Sequence, residues 1–169
     1  AMGQPEEAAG LIDDVETQLA DAAVEEYEGL TFSYIYNNGP GTLGVFYPEE
    51  HRVAMVSALG LTPDPVVEEL RADFDEPGTQ SALIGLENAD QLDDSDLIFT
   101  FYSDAANRED IESQPLYAAI PAISQGAVVA PEDQSLVTAS SMITPLTVPW
   151  SLERYVPLID EAVANLEGH

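Results

Sequence analysis

Asp96-Leu-Ile-Phe-Thr-Phe-Tyr102 carries one charge at its head and an unbroken run of apolar, β-branched and aromatic residues behind it. A run this short, with no polar alternation, reads as a strand covered on both faces. Leu30-Thr-Phe-Ser-Tyr-Ile-Tyr36 repeats the pattern earlier in the chain, and Gly126-Ala-Val-Val-Ala130 repeats it in a shorter form later. Strands buried on both sides need helices to cover them.

The segments between these runs supply the helices. Ala8, Leu11, Ile12, Val15, Leu19 and Ala23 recur at spacings of three and four behind Pro5. They predict an amphipathic helix reaching Tyr27, with Gly29 as its stop. Further helices are expected from Glu49 to Leu59, closed by Gly60, and after Pro63-Asp64-Pro65. Asp73 to Gln80 reads as a polar loop, Ser81 to Leu86 as a short strand, and Glu87 to Leu92 as helical turns. Ala105 to Ser113 and Pro115 to Ile120 read as short helices, and Ala130 to Pro149 as an irregular loop. Ser151 to Leu166 closes the chain as an amphipathic helix, with Ser151 as its N-cap. The alternation predicts a single α/β domain, residues 1–169, built as a three-layer, largely parallel sheet flanked by helices.

Charge narrows the partners. Thirty-two Asp and Glu face four Arg and no Lys, a formal net charge of −28 over 169 residues. Such a surface repels nucleic-acid phosphate and anionic lipid headgroups. Cysteine is absent and the histidines are His51 and His169, so neither a thiolate nucleophile nor a His-rich metal site is expected. No apolar run approaches the roughly 20 residues that span a bilayer. The opening Ala1-Met2-Gly3 reads as an artificial boundary, so a signal or lipid anchor is expected upstream of it.

Ligands of open α/β sheets sit beyond the carboxyl ends of the strands. Three segments occupy that position: Asn37 to Tyr47, Tyr102 to Arg108, and Pro131 to Pro149. They make Asn37, Asn38, Tyr47, Tyr102, Arg108 and the adjoining Trp150 the candidate ligand-binding residues. Amides, aromatic rings and a guanidinium suit a polar, partly aromatic ligand. Each arginine (Arg52, Arg71, Arg108, Arg154) has a local salt bridge as its ordinary reading, and Arg108 has the strongest functional case because it follows a buried strand. Trp150 fits the core and a stacking site equally.

Three motifs invite other chemistry. Gly39-Pro-Gly41-Thr-Leu-Gly44 spells G-x-G-x-x-G after a strand, the basis of an alternative reading as a nucleotide-dependent α/β enzyme. Pro48 follows where the phosphate-binding helix would run, which favours a loop bordering a cleft. Asp90, Asp93, Asp94 and Asp96 lack the turn glycine and terminal glutamate of a calcium loop. Ser140 and Ser141 lack a nucleophile elbow. No catalytic residue, cofactor or protein-held metal is expected.

The order of segments resembles the C-terminal lobe of siderophore-binding proteins of iron ABC importers, the periplasmic-binding-protein class with a single rigid helix between lobes. Three blocks carry the resemblance: Gly3-Gln-Pro-Glu-Glu-Ala-Ala-Gly-Leu-Ile12, then Ile84-Gly-Leu-Glu87-Asn-Ala-Asp-Gln-Leu92 before Asp96, and Gln114-Pro-Leu-Tyr-Ala-Ala-Ile-Pro-Ala-Ile-Ser-Gln-Gly-Ala-Val-Val129. The resemblance implies a solute-binding component that holds a ferric siderophore (or, less closely, haem or cobalamin) between two lobes. It implies an extracellular or periplasmic setting, as a cell-surface lipoprotein or a periplasmic protein, and an absent N-terminal lobe. It implies that Glu87 docks to the permease. The serine usual near that glutamate is Gly85 here.

Overall fold

The structure is a computed structural model and describes residues 5–75 and 78–168. The opening Ala1-Met2-Gly3, Pro77 and His169 lie outside the described residues. In chain order the elements are α1 (Pro5–Ala20), a 3-10 turn (Glu25–Tyr27), β1 (Thr31–Asn37), β2 (Thr42–Phe46), α2 (His51–Ala58), β3 (Thr62–Pro63), α3 (Val66–Phe74) and β4 (Ser81–Gly85). A longer 3-10 turn (Leu86–Leu92) leads into β5 (Leu97–Phe99), α4 (Ala105–Glu112), α5 (Pro115–Ala118), α6 (Pro121–Ser124), β6 (Val128–Val129), α7 (Gln134–Ser140) and α8 (Thr147–Glu167).

The six strands form one open sheet in the order β4-β2-β1-β5-β6, with β3 paired to the foot of β1. On one side β1, β5 and β6 run parallel, in the register Phe32↔Leu97, Tyr34↔Phe99 and Phe99↔Val129. On the other side β2 runs antiparallel to β1, and β4 antiparallel to β2. The α/β architecture stands, but the sheet is mixed rather than largely parallel. The cause is the segment read as a loop. Gly39 and Gly41 adopt φ of 123° and 75°, a left-handed conformation that turns the chain back within a few residues. Leu43 and Val45 then continue a buried strand.

Gly44 has its own role in that hairpin. It lies opposite Tyr36, and a Cβ there would sit 2.0 Å from the ring's Cε1. The ring rests on bare backbone, a contact only glycine permits. All three glycines of the G-x-G-x-x-G string therefore serve a β-hairpin. No helix N-terminus follows β1, and the alternative reading loses its phosphate cradle.

Side chains alternate between the two faces of the sheet. Phe32, Tyr34, Tyr36, Phe46 and Phe99 share one face, where Tyr34 and Phe99 meet Tyr155 of α8. Phe32 and Phe99 pack edge to face at 5.2 Å between centroids. The opposite face meets α3, α4 and α5: Tyr47 bonds Asp75 beyond α3, Asn37 bonds Asn107 of α4, and Tyr102 bonds Tyr117 of α5. A buried chain Ser33–Ser95–Asp64 ties β1 to the start of α3, with Asp64 accepting from Ser95 at 2.7 Å and from the Val66 amide at 2.9 Å.

Two further elements differ from expectation. Gln134–Ser140 is helical inside the stretch read as irregular, because the Asp133 carboxylate accepts the Ser135 amide at 2.8 Å and caps it. The closing helix begins at Thr147, four residues before Ser151. Pro149 sits in its first turn, where a missing N–H is harmless. Ser151 is consequently a buried residue inside the helix, not its cap. At the other end of the chain, α1 stops at Ala20, and Tyr27 belongs to a separate 3-10 turn.

Candidate functional site

Arg52 is the second residue of α2, and it is held from the residue before the helix. Glu50 caps α2: its Oε2 accepts the Arg52 amide at 2.7 Å while its Oε1 accepts Arg52 Nη1 at 2.7 Å. Both side chains are largely buried, at 15% and 9% exposure. The guanidinium lies over two rings, 5.1 Å from the Phe101 centroid and 5.5 Å from that of Phe46. Tyr36 completes the group, stacked on Phe46 at 4.7 Å and on Phe101 at 6.2 Å. All three rings remain half-buried. Among the described residues Arg52 Nε is buried without a partner, and no hydrogen bond joins Nη2 to them.

The patch lies on one face of the sheet, toward the carboxyl ends of its parallel strands. Tyr36 is the penultimate residue of β1 and Phe101 follows β5 by two residues. Below it, Tyr34 and Tyr155 share a hydroxyl hydrogen bond of 3.2 Å, and Tyr155 reaches Ser140 at 3.4 Å. Burial pushes both phenols above their ordinary range. Beside it, His51 Nδ1 meets the Ser141 carbonyl at 3.1 Å. Met142 and Leu146, which follow Ser141 in the chain, are exposed large apolar side chains.

The residues singled out from sequence are divided between this patch and other places. Asn37 donates to the Asn107 carbonyl at 3.2 Å and to Asp110 at 3.3 Å, and its Oδ1 accepts the Gly39 amide, so it braces the hairpin against α4. Asn38 is exposed at the hairpin tip. Tyr47 is buried on the face opposite the aromatic patch, with its hydroxyl donating to Asp75 at 2.9 Å and Arg71 over its ring at 4.1 Å. Burial and that carboxylate push its phenol up to about 12. Tyr102 and Arg108 line a groove of about 730 Å³ along the open edge of β6, together with Tyr117, Val128, Leu136 and Leu158. Arg108 lies over the Tyr102 ring at 5.3 Å and bonds Glu112 at 2.9 Å and Glu132 at 3.1 Å. Trp150 is half-buried under Arg154, whose guanidinium is 4.1 Å from the ring. Glu87 is exposed at the first turn after β4. Its carboxylate folds back over Gly85, where a Cβ would lie 2.2 Å from Oε2.

Three members of the patch sit one position away from a residue named from sequence: Tyr36 beside Asn37, Phe46 beside Tyr47, Phe101 beside Tyr102. Strand alternation turns each neighbour to the opposite face. The period-two rule applied to Phe32, Tyr34 and Tyr36 was the available signal. Among the described residues no group of three or more His, Asp and Glu is placed to hold a metal ion. Among the described residues no helix is long and apolar enough to cross a membrane.

No family model matches the chain, and no curated protein matches it. Solved structures do. The chain has the fold of one half of a siderophore-binding protein. It superposes on PiaA of Streptococcus pneumoniae TIGR4 in complex with ferrichrome with a TM-score of 0.76 and 24% identity, covering 95% of this chain and 54% of that one. It superposes on the siderophore periplasmic binding protein from the fuscachelin gene cluster of Thermobifida fusca with a TM-score of 0.63 and 16% identity, covering 93% and 53%. For FhuD2 of Staphylococcus aureus with bound ferrioxamine B the values are 0.61 and 19%, covering 89% and 56%. The chain thus spans about half the length of the solved proteins it matches.

Proposed function

We propose that this chain is one jaw of a two-jawed solute receptor that binds a ferric siderophore for an ABC importer, with no catalytic step of its own. The observation that carries the reading is the aromatic patch with Arg52 at the carboxyl edge of the sheet, in a fold shared with proteins solved with ferrichrome and with ferrioxamine B. Half-buried rings give an apolar bed for an organic ligand, and the free Nη2 of Arg52 gives a donor for its metal-binding oxygens. Iron held by its own chelator needs no protein ligands, which suits a chain with no cysteine and two histidines. The setting is extracellular or periplasmic, anchored by lipid or free, and the chain acts as the C-terminal lobe.

A protein of net charge −28 repels anions at long range, so the ligand is an uncharged or cationic ferric complex of the hydroxamate type. Asn38 at the hairpin tip and Tyr102 and Arg108 in the groove beside β6 are peripheral ligand contacts in this reading, while Asn37, Tyr47 and Trp150 serve the scaffold around the patch. Glu87 docks the lobe to cationic residues of the permease through an exposed, charge-assisted contact.

Thermal shift is the test. With the full-length, two-lobed protein, ferrichrome or ferrioxamine B raises the melting temperature, and NAD or ATP does not. A shift with nucleotide and none with either ferric complex would overturn the reading. Glu87→Ala is expected to lower uptake in cells while leaving affinity in solution unchanged.

A further inference from the structure

Arg52 is the patch's cation, yet its charge is already matched. Glu50 contacts it twice, through the side chain and through the backbone amide, within three residues of sequence. Adjacent residues at a helix start rarely need an ion pair to cap the helix, since the backbone bond to Oε2 does that alone. The second oxygen is spent on the guanidinium. Most other acids of the described residues are exposed, but Glu50, like Asp64, is buried. A carboxylate is costly to bury unless paired, and here it is buried at the ligand-facing end of the sheet rather than in a remote core.

We infer that Glu50 is a positioning and specificity-determining residue: it holds Arg52 flat against Phe46 and Phe101 and cancels its charge, so that the patch accepts uncharged or cationic ferric complexes and rejects polyanionic ones. The inference rests on the proposed binding function. Arg52 then offers a ligand oxygen a directional donor without a net positive field. A free arginine at this place would attract a polyanionic iron complex, because opposite charges a few ångströms apart in a half-buried site interact strongly. The neutralised pair keeps the hydrogen bond and removes that attraction. The wider −28 field works in the same direction, but it differs in range, and salt separates the two. At about 1 M salt the screening length falls to roughly 3 Å, which silences distant carboxylates and leaves a direct, desolvated contact intact.

The experiment measures, on the full two-lobed protein, affinities for ferrichrome, an uncharged ferric hydroxamate, and for ferric enterobactin, a trianionic ferric catecholate, at low and about 1 M salt. Wild type binds the first over the second at both salt levels. Glu50→Gln keeps an oxygen for the Arg52 amide and removes the charge. It is expected to move the ratio of affinities at least tenfold toward the catecholate, while Glu50→Asp returns it toward wild type. An unchanged ratio in Glu50→Gln would overturn the inference and leave the binding reading standing. Should Glu50→Gln fail to fold, the wild-type ratio decides: discrimination that vanishes at high salt assigns it to the general field and overturns the role of Glu50. Binding of neither complex by wild type sinks the binding reading itself, together with everything built on it.

Discussion

Arg52 and Arg108 share a description and differ in what surrounds them. Each lies over an aromatic ring and each bonds a glutamate. Arg52 and Glu50 are 15% and 9% exposed, whereas Arg108 is 43% exposed and its partners Glu112 and Glu132 are 44% and 85% exposed. The first pair spans a helix cap, two strands and three rings. The second is an i,i+4 contact on one helix plus a reach across a groove. In water-exposed pairs the Coulomb gain is nearly offset by side-chain ordering and screening. In a buried pair, removing one partner strands the other. The same residue type is therefore locked into the patch in one place and held by solvent-screened pairs beside the β6 groove in the other.

The largest effect should come from Arg52→Ala. It leaves the Glu50 carboxylate buried and unpaired, so unfolding in urea is expected to show a loss of about 3–5 kcal/mol. Arg108→Ala should cost no more than about 1 kcal/mol, and that cost should shrink further in high salt. Equal losses for the two would erase the contrast drawn between them.

Gly44→Ala sharpens the comparison from the backbone side. A Cβ at 2.0 Å from the Tyr36 ring forces the ring off Phe46 and off its hydroxyl bond to Ser81. About 1–3 kcal/mol is expected, as for other overpacked sites, with weaker ligand binding as a second consequence. Gly39 has open space around it, and an alanine there meets only the cost of its positive φ. If Gly44→Ala left ligand affinity untouched, Tyr36 would have no part in the site.

The smallest effect concerns the opposite face. The Tyr47 phenol is pushed from 10.0 to about 12 by burial and by its bond to Asp75. A folded-state value above the unfolded one means the native protein holds its proton more tightly. That stabilisation is complete below pH 10 and is lost as pH rises through about 12. Tyr47→Phe removes this contribution, so its stability between pH 10 and 12 should fall less steeply than that of wild type. Ligand affinity should move less than with Phe46→Ala on the facing side.

Much of the fold was legible because the buried strands announce themselves. Asp96–Tyr102 contains β5 and Leu30–Tyr36 covers β1 except for its last residue, Asn37, and glycines or prolines mark most element ends. The hairpin was not legible in the same way. Its glycine string matches a phosphate loop equally well, and what distinguishes them is the pairing of Gly44 with Tyr36, a contact across the strands. The helix at Gln134 hid among Ser and Thr residues because its cap, Asp133, lies in a stretch of turn-forming residues. The site was half legible. The strand ends pointed to the same region of the sheet as the proposed patch, but the choice of face needs the parity of each strand. Arg52 shows its role only through Glu50, since an acid two residues away reads as one more surface charge in a chain with 32 of them.

The proposal at the centre of the account is that the ferric complex beds on Tyr36, Phe46 and Phe101, which brings its iron near those rings. High-spin ferric iron broadens the NMR signals of nuclei near it, and the gallium complex of the same chelator gives the undisturbed reference. Titration with ferrioxamine B should broaden the ring signals of those three residues first, with the ring of Tyr117 and the methyls of Leu158 in the β6 groove retained. Broadening confined to the groove, with the three rings left sharp, would contradict the account.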